Sequence, residues 1–277
     1  MRLRTVGKSV PLGKIASINP PAISPDAPSV LIFSPHPDDE CIIGGLPLRM
    51  LRQCGMKVIN VAVTQGRKKE RKAERWDELR AACEFIGFKL MQTCEGGLDN
   101  VTTASRENEK SQWNAGVEII ARILTETSPI AIFYPHKDDW NSAHIGTHWM
   151  VMDALATLSR HFSCHLFETE FWGQNRSPNL LVELGVDEVA DLVAALSFHV
   201  GEVKRNPYHL TLTSWMQDNV RRGGELVGGQ GGAAPDFVFG TLYQQRRWAN
   251  GELKEVDPRE RFLSLGQNPE LLFEFTK

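Results

Sequence analysis

Short runs rich in β-branched and aromatic residues alternate along the chain with longer segments in which apolar positions recur every three or four residues. The runs at 29–34, 57–63, 89–93, 130–134 and 164–170 predict strands, and the segments at 40–54, 69–87, 112–126 and 143–160 predict helices. In the second of these helices, Ala73, Trp76, Leu79, Ala82, Cys83 and Ile86 fall at spacings that build one buried stripe. Strand and helix in strict alternation is the signature of a parallel sheet with crossover helices. The fold expected is therefore α/β, a Rossmann-like, mostly parallel sheet flanked by helices, with additional C-terminal elements.

The pattern also suggests an organisation. Residues 1–28 form an N-terminal arm, in which Pro20, Pro21, Pro25 and Pro28 favour an extended path over 19–28. Residues 29–277 are expected to make a single domain, with 29–160 carrying the regular alternation and 161–277 the less regular part. There a helix is expected over 187–206. The glycine-rich stretch 223–232 reads either as a mobile lid or as a plain surface loop.

Composition narrows the function classes. The 277 residues are 42% hydrophobic and 23% charged with a net charge of −3, which is ordinary for a soluble globular protein and gives no basis for a nucleic-acid partner. Five cysteines, odd in number and without Cys-x-x-Cys spacing, argue against a disulfide framework and fit a reducing cytoplasm. The first residues carry Arg2, Arg4, Lys8 and Lys14 but no continuous apolar signal segment, and no run approaches the roughly 20 apolar residues of a membrane span.

In open parallel sheets ligands bind beyond the carboxyl ends of the strands, so the chemistry there carries most information. The first strand ends in Ser34-Pro35-His36-Pro37-Asp38-Asp39-Glu40. His36 and Asp39, three apart in a turn leading into a helix, can face one point, and an imidazole nitrogen with a carboxylate oxygen suits zinc. A third ligand must come from elsewhere. Asp38 is placed either to support the ligands or to take a proton from an activated water. The plainer reading of Asp-Asp-Glu is a helix N-terminus, where carboxylates satisfy free N–H groups. A second polar loop weighs against it: the strand 130–134 is followed by His136, Asp138, Asp139, Asn141, His144 and His148. His144 and His148 share a helix face as a metal pair would, but the expected division gives His144 to the metal and leaves His148 one turn inside. His136 reads as a substrate contact, an orienting group or a loop histidine.

The His-Pro-Asp-Asp-Glu segment with Gly44-Gly45, then Thr64-Gln65-Gly66, Arg75-Trp76-Asp77-Glu78 and a histidine opening a later helix, resembles the PIG-L, or LmbE-like, deacetylases over about residues 29–160. That resemblance implies zinc, or another divalent metal, on His36, Asp39 and His144, with Asp38 as general base and Arg75 near the substrate. The reaction it implies is removal of an N-acyl group, usually acetyl, from an N-acetylglucosamine-type sugar or glycoconjugate. One motif departs. Where the family often has His-Pro-Asp-His, this chain has Asn141-Ser142-Ala143-His144. Asn141 then stands where a histidine commonly assists the carbonyl oxygen, and asparagine can donate to an oxyanion. Asp138, Asp139 or His136 are candidates for the support that Ala143 does not give.

The remaining signals are softer. Thr64-Gln65-Gly66 suits a sugar hydroxyl or a simple turn, and the charge run 67–72 reads as a solvated helix face unless the substrate is anionic. Phe171-Trp172, Trp215 and Trp248 read as core or oligomer contacts before sugar-stacking platforms, and a homo-oligomer stays open. Two other functions compete: a metal hydrolase of phosphate esters or non-sugar amides, and a non-catalytic sugar- or metal-binding relative.

Overall fold

The computed structural model describes residues 2–16, 18–256 and 261–273. Strands β1 (Ser29–Ser34), β2 (Lys57–Ala62), β3 (Lys89–Gln92), β4 (Ala131–Pro135) and β5 (Cys164–Thr169) pair in parallel in the order β3-β2-β1-β4-β5. The later part of the chain extends the same sheet with β6 (Leu180–Leu184), β7 (Phe239–Ala249), β8 (Glu252–Glu255) and β9 (Phe262–Leu263). Here β7 runs antiparallel to β5, β6 and β8, while β9 lies parallel to β6.

Helices cover both faces. They are α1 (Arg2–Gly7) in the arm, α2 (Asp39–Ile42), α3 (Gly45–Cys54), α4 (Lys72–Ile86), α5 (Thr103–Asn108), α6 (Lys110–Thr127), α7 (Ser142–Thr157), α8 (Val186–Leu196), α9 (Val200–Arg205) and α10 (Leu212–Gly228). Successive residues of a strand point to opposite faces, and β1 shows it directly. Val30 and Ile32 pack with Leu48, Leu79, Ala82 and Leu192 of α3, α4 and α8, whereas Leu31 and Phe33 pack with Trp113, Ile120, Val151 and Leu155 of α6 and α7. A strand apolar at every position is what two covered faces require. Among the described residues no helix is long and apolar enough to cross a membrane.

Several boundaries differ from the sequence expectation for identifiable reasons. The helix expected over 40–54 breaks into α2 and α3 at Gly44, where a Cβ would sit 2.4 Å from the carbonyl oxygen of Glu40. Ala73 is exposed, so the buried stripe of α4 is confined to Leu79, Ala82, Cys83 and Ile86 with Trp76 partly covered. The helix expected over 187–206 is two helices, because Ser197 bonds back to Ala194 O at 2.6 Å and His199 is drawn toward Glu40. The lid reading of 223–232 is not supported: Gly223 and Gly224 are buried inside α10, where a Cβ would meet Leu181 Cδ2 at 2.7 Å and Ala234 N at 2.6 Å. Those glycines permit close packing. The expected extended path over 19–28 holds only in part: the arm has no regular secondary structure over 20–24 but turns at 25–27, where Ala27 N donates to Ser24 O at 3.1 Å, and it is anchored by Pro20 on Gly87 and by Lys57 Nζ on Pro25 O at 2.6 Å.

Strand order reverses between β1 and β4, which pair through Val30–Ala131 and Ile32–Phe133. This is the topological switch point, and the loops leaving both carboxyl ends open into one crevice. The loop after β2, on the other side of β1, joins them: Thr64 N donates to Pro35 O at 3.2 Å.

Candidate active site

The loop after β1 is held in an unusual backbone shape. Asp38 has φ of 113°, a region that a side chain with a Cβ rarely enters. Its neighbours over-determine that conformation: the Asp38 N–H donates to Glu40 Oε2 at 2.9 Å, and Glu40 Oε1 pairs with His199 Nε2 at 2.8 Å. All of Asp38, Asp39, Glu40 and His199 are buried. Glu40 is thus a structural brace, with the helix start displaced to Asp39 and the Asp38 carboxylate left facing the crevice.

His36, Asp39 and His144 converge. His36 Nδ1 lies 3.3 Å from His144 Nε2 and 3.5 Å from Asp39 Oδ2, and His144 Nε2 lies 3.3 Å from the same Asp39 oxygen. Ligands bound tetrahedrally at about 2.0–2.2 Å are separated from one another by roughly 3.3–3.6 Å. The triangle therefore has the edges of a zinc-sized site, and its donor set of two imidazoles and one carboxylate suits that ion. Burial pushes the His36 pKa down. Burial also works against charge on Asp39 and His144, yet their mutual attraction wins: Asp39 is held well below the usual carboxylate range and His144 is raised to about 10.

The loop after β4 supplies support from an aspartate displaced in sequence. Asp139 is buried, with Oδ2 3.7 Å from His144 Nδ1 and accepting from the N–H groups of Trp172 and Gly173 at 3.2 and 3.3 Å. Its Oδ1 accepts from Asn141 N at 2.8 Å. Of the three candidates for this supporting role, Asp139 is the one in contact with His144; Asp138 is exposed and paired to Lys137. Asn141 caps α7, its Oδ1 accepting from Ala143 N at 2.9 Å, and its side chain lines the cleft.

Two expected substrate contacts, His136 and Thr64, lie outside the cleft above Asp38. His136 is 2% exposed and does not line the cleft; its Nε2 bonds Gly173 O at 2.8 Å and its Nδ1 accepts from Asp138 N at 3.2 Å, so it fastens one loop to the other. Thr64 uses its hydroxyl on Pro35 O at 2.7 Å and on Gly66 N at 3.2 Å, fixing the turn; it stands outside the cleft above Asp38 but lines an adjoining hollow with His36, Gly66 and Ala143. His148 is packing, as expected: buried, its Nδ1 on Pro135 O at 2.9 Å, its pKa pushed down to about 4 chiefly by burial.

The cleft, about 570 Å³, is lined by His36, Asp38 and Asp39 on its floor and by Arg67, Arg75 and Asn141 along one side. Arg75 reaches under Gly66, whose φ of 83° and missing Cβ leave room for the guanidinium, and donates to Pro37 O at 2.9 Å while standing 4.0 Å from Asp38 Oδ2. The other side comes from Trp172, read from sequence first as a core or oligomer contact, and from three residues that the sequence did not single out: Glu202, Arg205 and Tyr208. Tyr208 donates a hydrogen bond to Asp38 Oδ2. Burial and the adjacent Asp39 charge push Asp38 up to about 7, against the opposing pull of His199, Arg75 and Tyr208. A carboxylate so poised is suited to exchanging protons near neutral pH.

Residues 31–155 match the family described as PIG-L, GlcNAc-PI de-N-acetylase. Among curated proteins none matches the sequence. Solved structures share the fold at low identity. The N,N'-diacetylchitobiose deacetylase from Pyrococcus horikoshii superposes with a TM-score of 0.56 at 17% identity, covering 84% of this chain and 88% of that one. A teicoplanin deacetylase, Orf2, in its zinc-inhibited form, gives 0.56 at 15%, covering 79% and 98%. GalB, the 4-carboxy-2-hydroxymuconate hydratase from Pseudomonas putida KT2440, gives 0.56 at 15%, covering 79% and 95%. One architecture thus carries both deacetylases and a hydratase, and the activity has to be argued from the side chains.

Proposed function

We propose, from the match of residues 31–155 to the PIG-L family, that the protein is a metal-dependent hydrolase removing the N-acetyl group, or a related N-acyl group, from an N-acetylglucosamine-type sugar or glycoconjugate. The observation that carries the reading is the His36–Asp39–His144 triangle with the Asp38 carboxylate beside it on the floor of one cleft. His36, Asp39 and His144 are the residues that hold the metal, zinc or another divalent ion. When bound, such an ion supplies Lewis acidity that polarises the amide carbonyl and acidifies water.

The chain's own groups supply the rest. Asp38 takes the proton of the attacking water, and the same carboxyl returns a proton to the departing amine nitrogen. Tyr208 fixes the carboxylate rotamer through Oδ2, and Arg75 steadies its charge from 4.0 Å. Asn141 has committed its oxygen to the α7 cap, which leaves its amide N–H groups as donors toward the developing oxyanion. Asp139 orients His144 through Nδ1, in the manner of carboxylate–histidine support at metal sites.

Acetate release from N-acetylglucosamine derivatives, with added zinc and beside a chelated control, tests the reading. Release that depends on the metal is expected. Absence of release from every N-acyl sugar, with turnover of phosphate esters in the same panel, would replace it with the competing hydrolase.

A further inference from the structure

A second hollow, about 260 Å³, opens beside the cleft and shares two walls with it, Trp172 and Tyr208. Its other apolar surfaces come from Ile42, Trp140, Phe171, Leu212 and Trp215. Indoles are seldom left in water without a reason, yet Trp140 is 80% exposed and Trp172 is 41% exposed at its rim. The rim is also held in place. Trp172 N donates to Asp139 Oδ2, and the Trp172 ring meets Tyr208 edge-on at 5.8 Å. Phe171 packs edge-on against the ring of His144 at 4.6 Å, so one wall of the hollow rests on a proposed metal ligand.

Of the carboxylate, hydroxyl and amide side chains that line it, all but the exposed Gln174 are already engaged. Glu170 accepts from Asn175 N at 2.8 Å and from Arg222 at 3.2 and 2.7 Å, Thr211 Oγ1 donates to Tyr208 O at 3.1 Å, and the Tyr208 hydroxyl is on Asp38. A second sugar ring entering here would find only the Gln174 amide and the indole N–H groups for its several hydroxyl groups, a shortfall that an alkyl or aryl group escapes. We propose that this recess is a subsite for an apolar substituent of the substrate, so that the substrate class is an N-acyl amino sugar carrying an alkyl or aryl group. The inference rests on the deacetylase reading. The substituent has two chemical sources, the glycosidic aglycone or the N-acyl chain, and both lead from the cleft past Trp172 into the recess.

The test compares kcat/KM of the metal-loaded full chain on three substrates below their micelle-forming concentrations: methyl N-acetylglucosaminide, the octyl glycoside of N-acetylglucosamine, and the methyl glycoside bearing an N-octanoyl group. One octyl substrate should be favoured over the methyl reference by about tenfold or more, since several methylenes leave water. The favoured one identifies the source. The preference should fall toward unity in Trp172→Ala and Trp140→Ala, both at exposed positions whose folding is checked by circular dichroism and melting. Hydrolysis of the methyl reference with no preference for either octyl substrate overturns the subsite and leaves the deacetylase reading intact. If no substrate is hydrolysed, the deacetylase reading fails, and tryptophan fluorescence titrated with octyl and methyl glycosides decides the subsite separately: tighter octyl binding supports it, equal affinities overturn it.

Discussion

Tyr208 and Asp38, 170 residues apart in sequence, share a hydrogen bond in which the phenol donates to the carboxylate that faces the crevice. The bond joins the two halves of the chain at the reacting centre: Asp38 follows the first parallel strand, and Tyr208 lies in a turn just ahead of α10. The same phenol walls both the cleft and the apolar recess.

Replacing Tyr208 by Phe keeps the ring and removes the donor. A hydrogen bond to a charged group contributes about 1.5–3 kcal/mol, so kcat should fall by roughly ten- to a hundredfold. Because the phenol acts on the base and not on bound sugar, KM should hold. Steady-state kinetics separates the two, and a change confined to KM would assign Tyr208 to binding alone.

Asp139→Asn should weaken metal binding by about 10- to 100-fold, as loss of a carboxylate behind a ligating histidine does elsewhere. Competition against a chromogenic chelator reads this directly. A lower melting temperature with unchanged metal affinity would reduce Asp139 to a loop clasp for Trp172 and Gly173.

The acid limb of stability should carry the signature of Glu202. Burial favours its neutral form, but Arg205, Arg75 and Arg71 outweigh burial and hold it at about 2 instead of 4.5. A carboxylate with a depressed folded-state pKa stabilises above its unfolded value, and that contribution drains away as pH falls from about 4.5 toward 2. Glu202→Gln should therefore melt lower than the parent at neutral pH, and the gap should close as pH drops below 4.5. A gap independent of pH would mean that the ion pairs with Arg205 and Arg71 are not the source.

The parallel half of the fold was readable because β1, β2 and β4 are apolar at nearly every position and each is followed by a helix with a clear stripe. The antiparallel extension was not. β7 reads Phe-Gly-Thr-Leu-Tyr-Gln-Gln-Arg-Arg-Trp-Ala, and its polar residues are satisfied only through tertiary partners such as Arg246 on Glu168 at 3.0 Å. The His36, Asp38, Asp39 and His144 cluster was legible because the strand-end rule and local spacing both point to it. Tyr208, Glu202 and Arg205 carried no local signal, since a tyrosine becomes the partner of a base only when the chain folds back; Trp172 was visible as half of an aromatic pair, but its place on the cleft wall needed the fold. His136 misled for a similar reason: its polar-loop context suited a substrate contact, and burial against Gly173 O gave it another partner. Choosing Asp139 over Asp138 needed burial, which two adjacent aspartates do not disclose in sequence.

The central claim is that Asp38 moves the proton beside a metal held by His36, Asp39 and His144. Asp38→Asn, assayed for bound zinc and for acetate release from N-acetylglucosamine derivatives, tests it most directly. The account predicts metal bound as in the parent protein with turnover reduced by about a hundredfold or more. Acetate release near the parent rate, with metal retained, would contradict it.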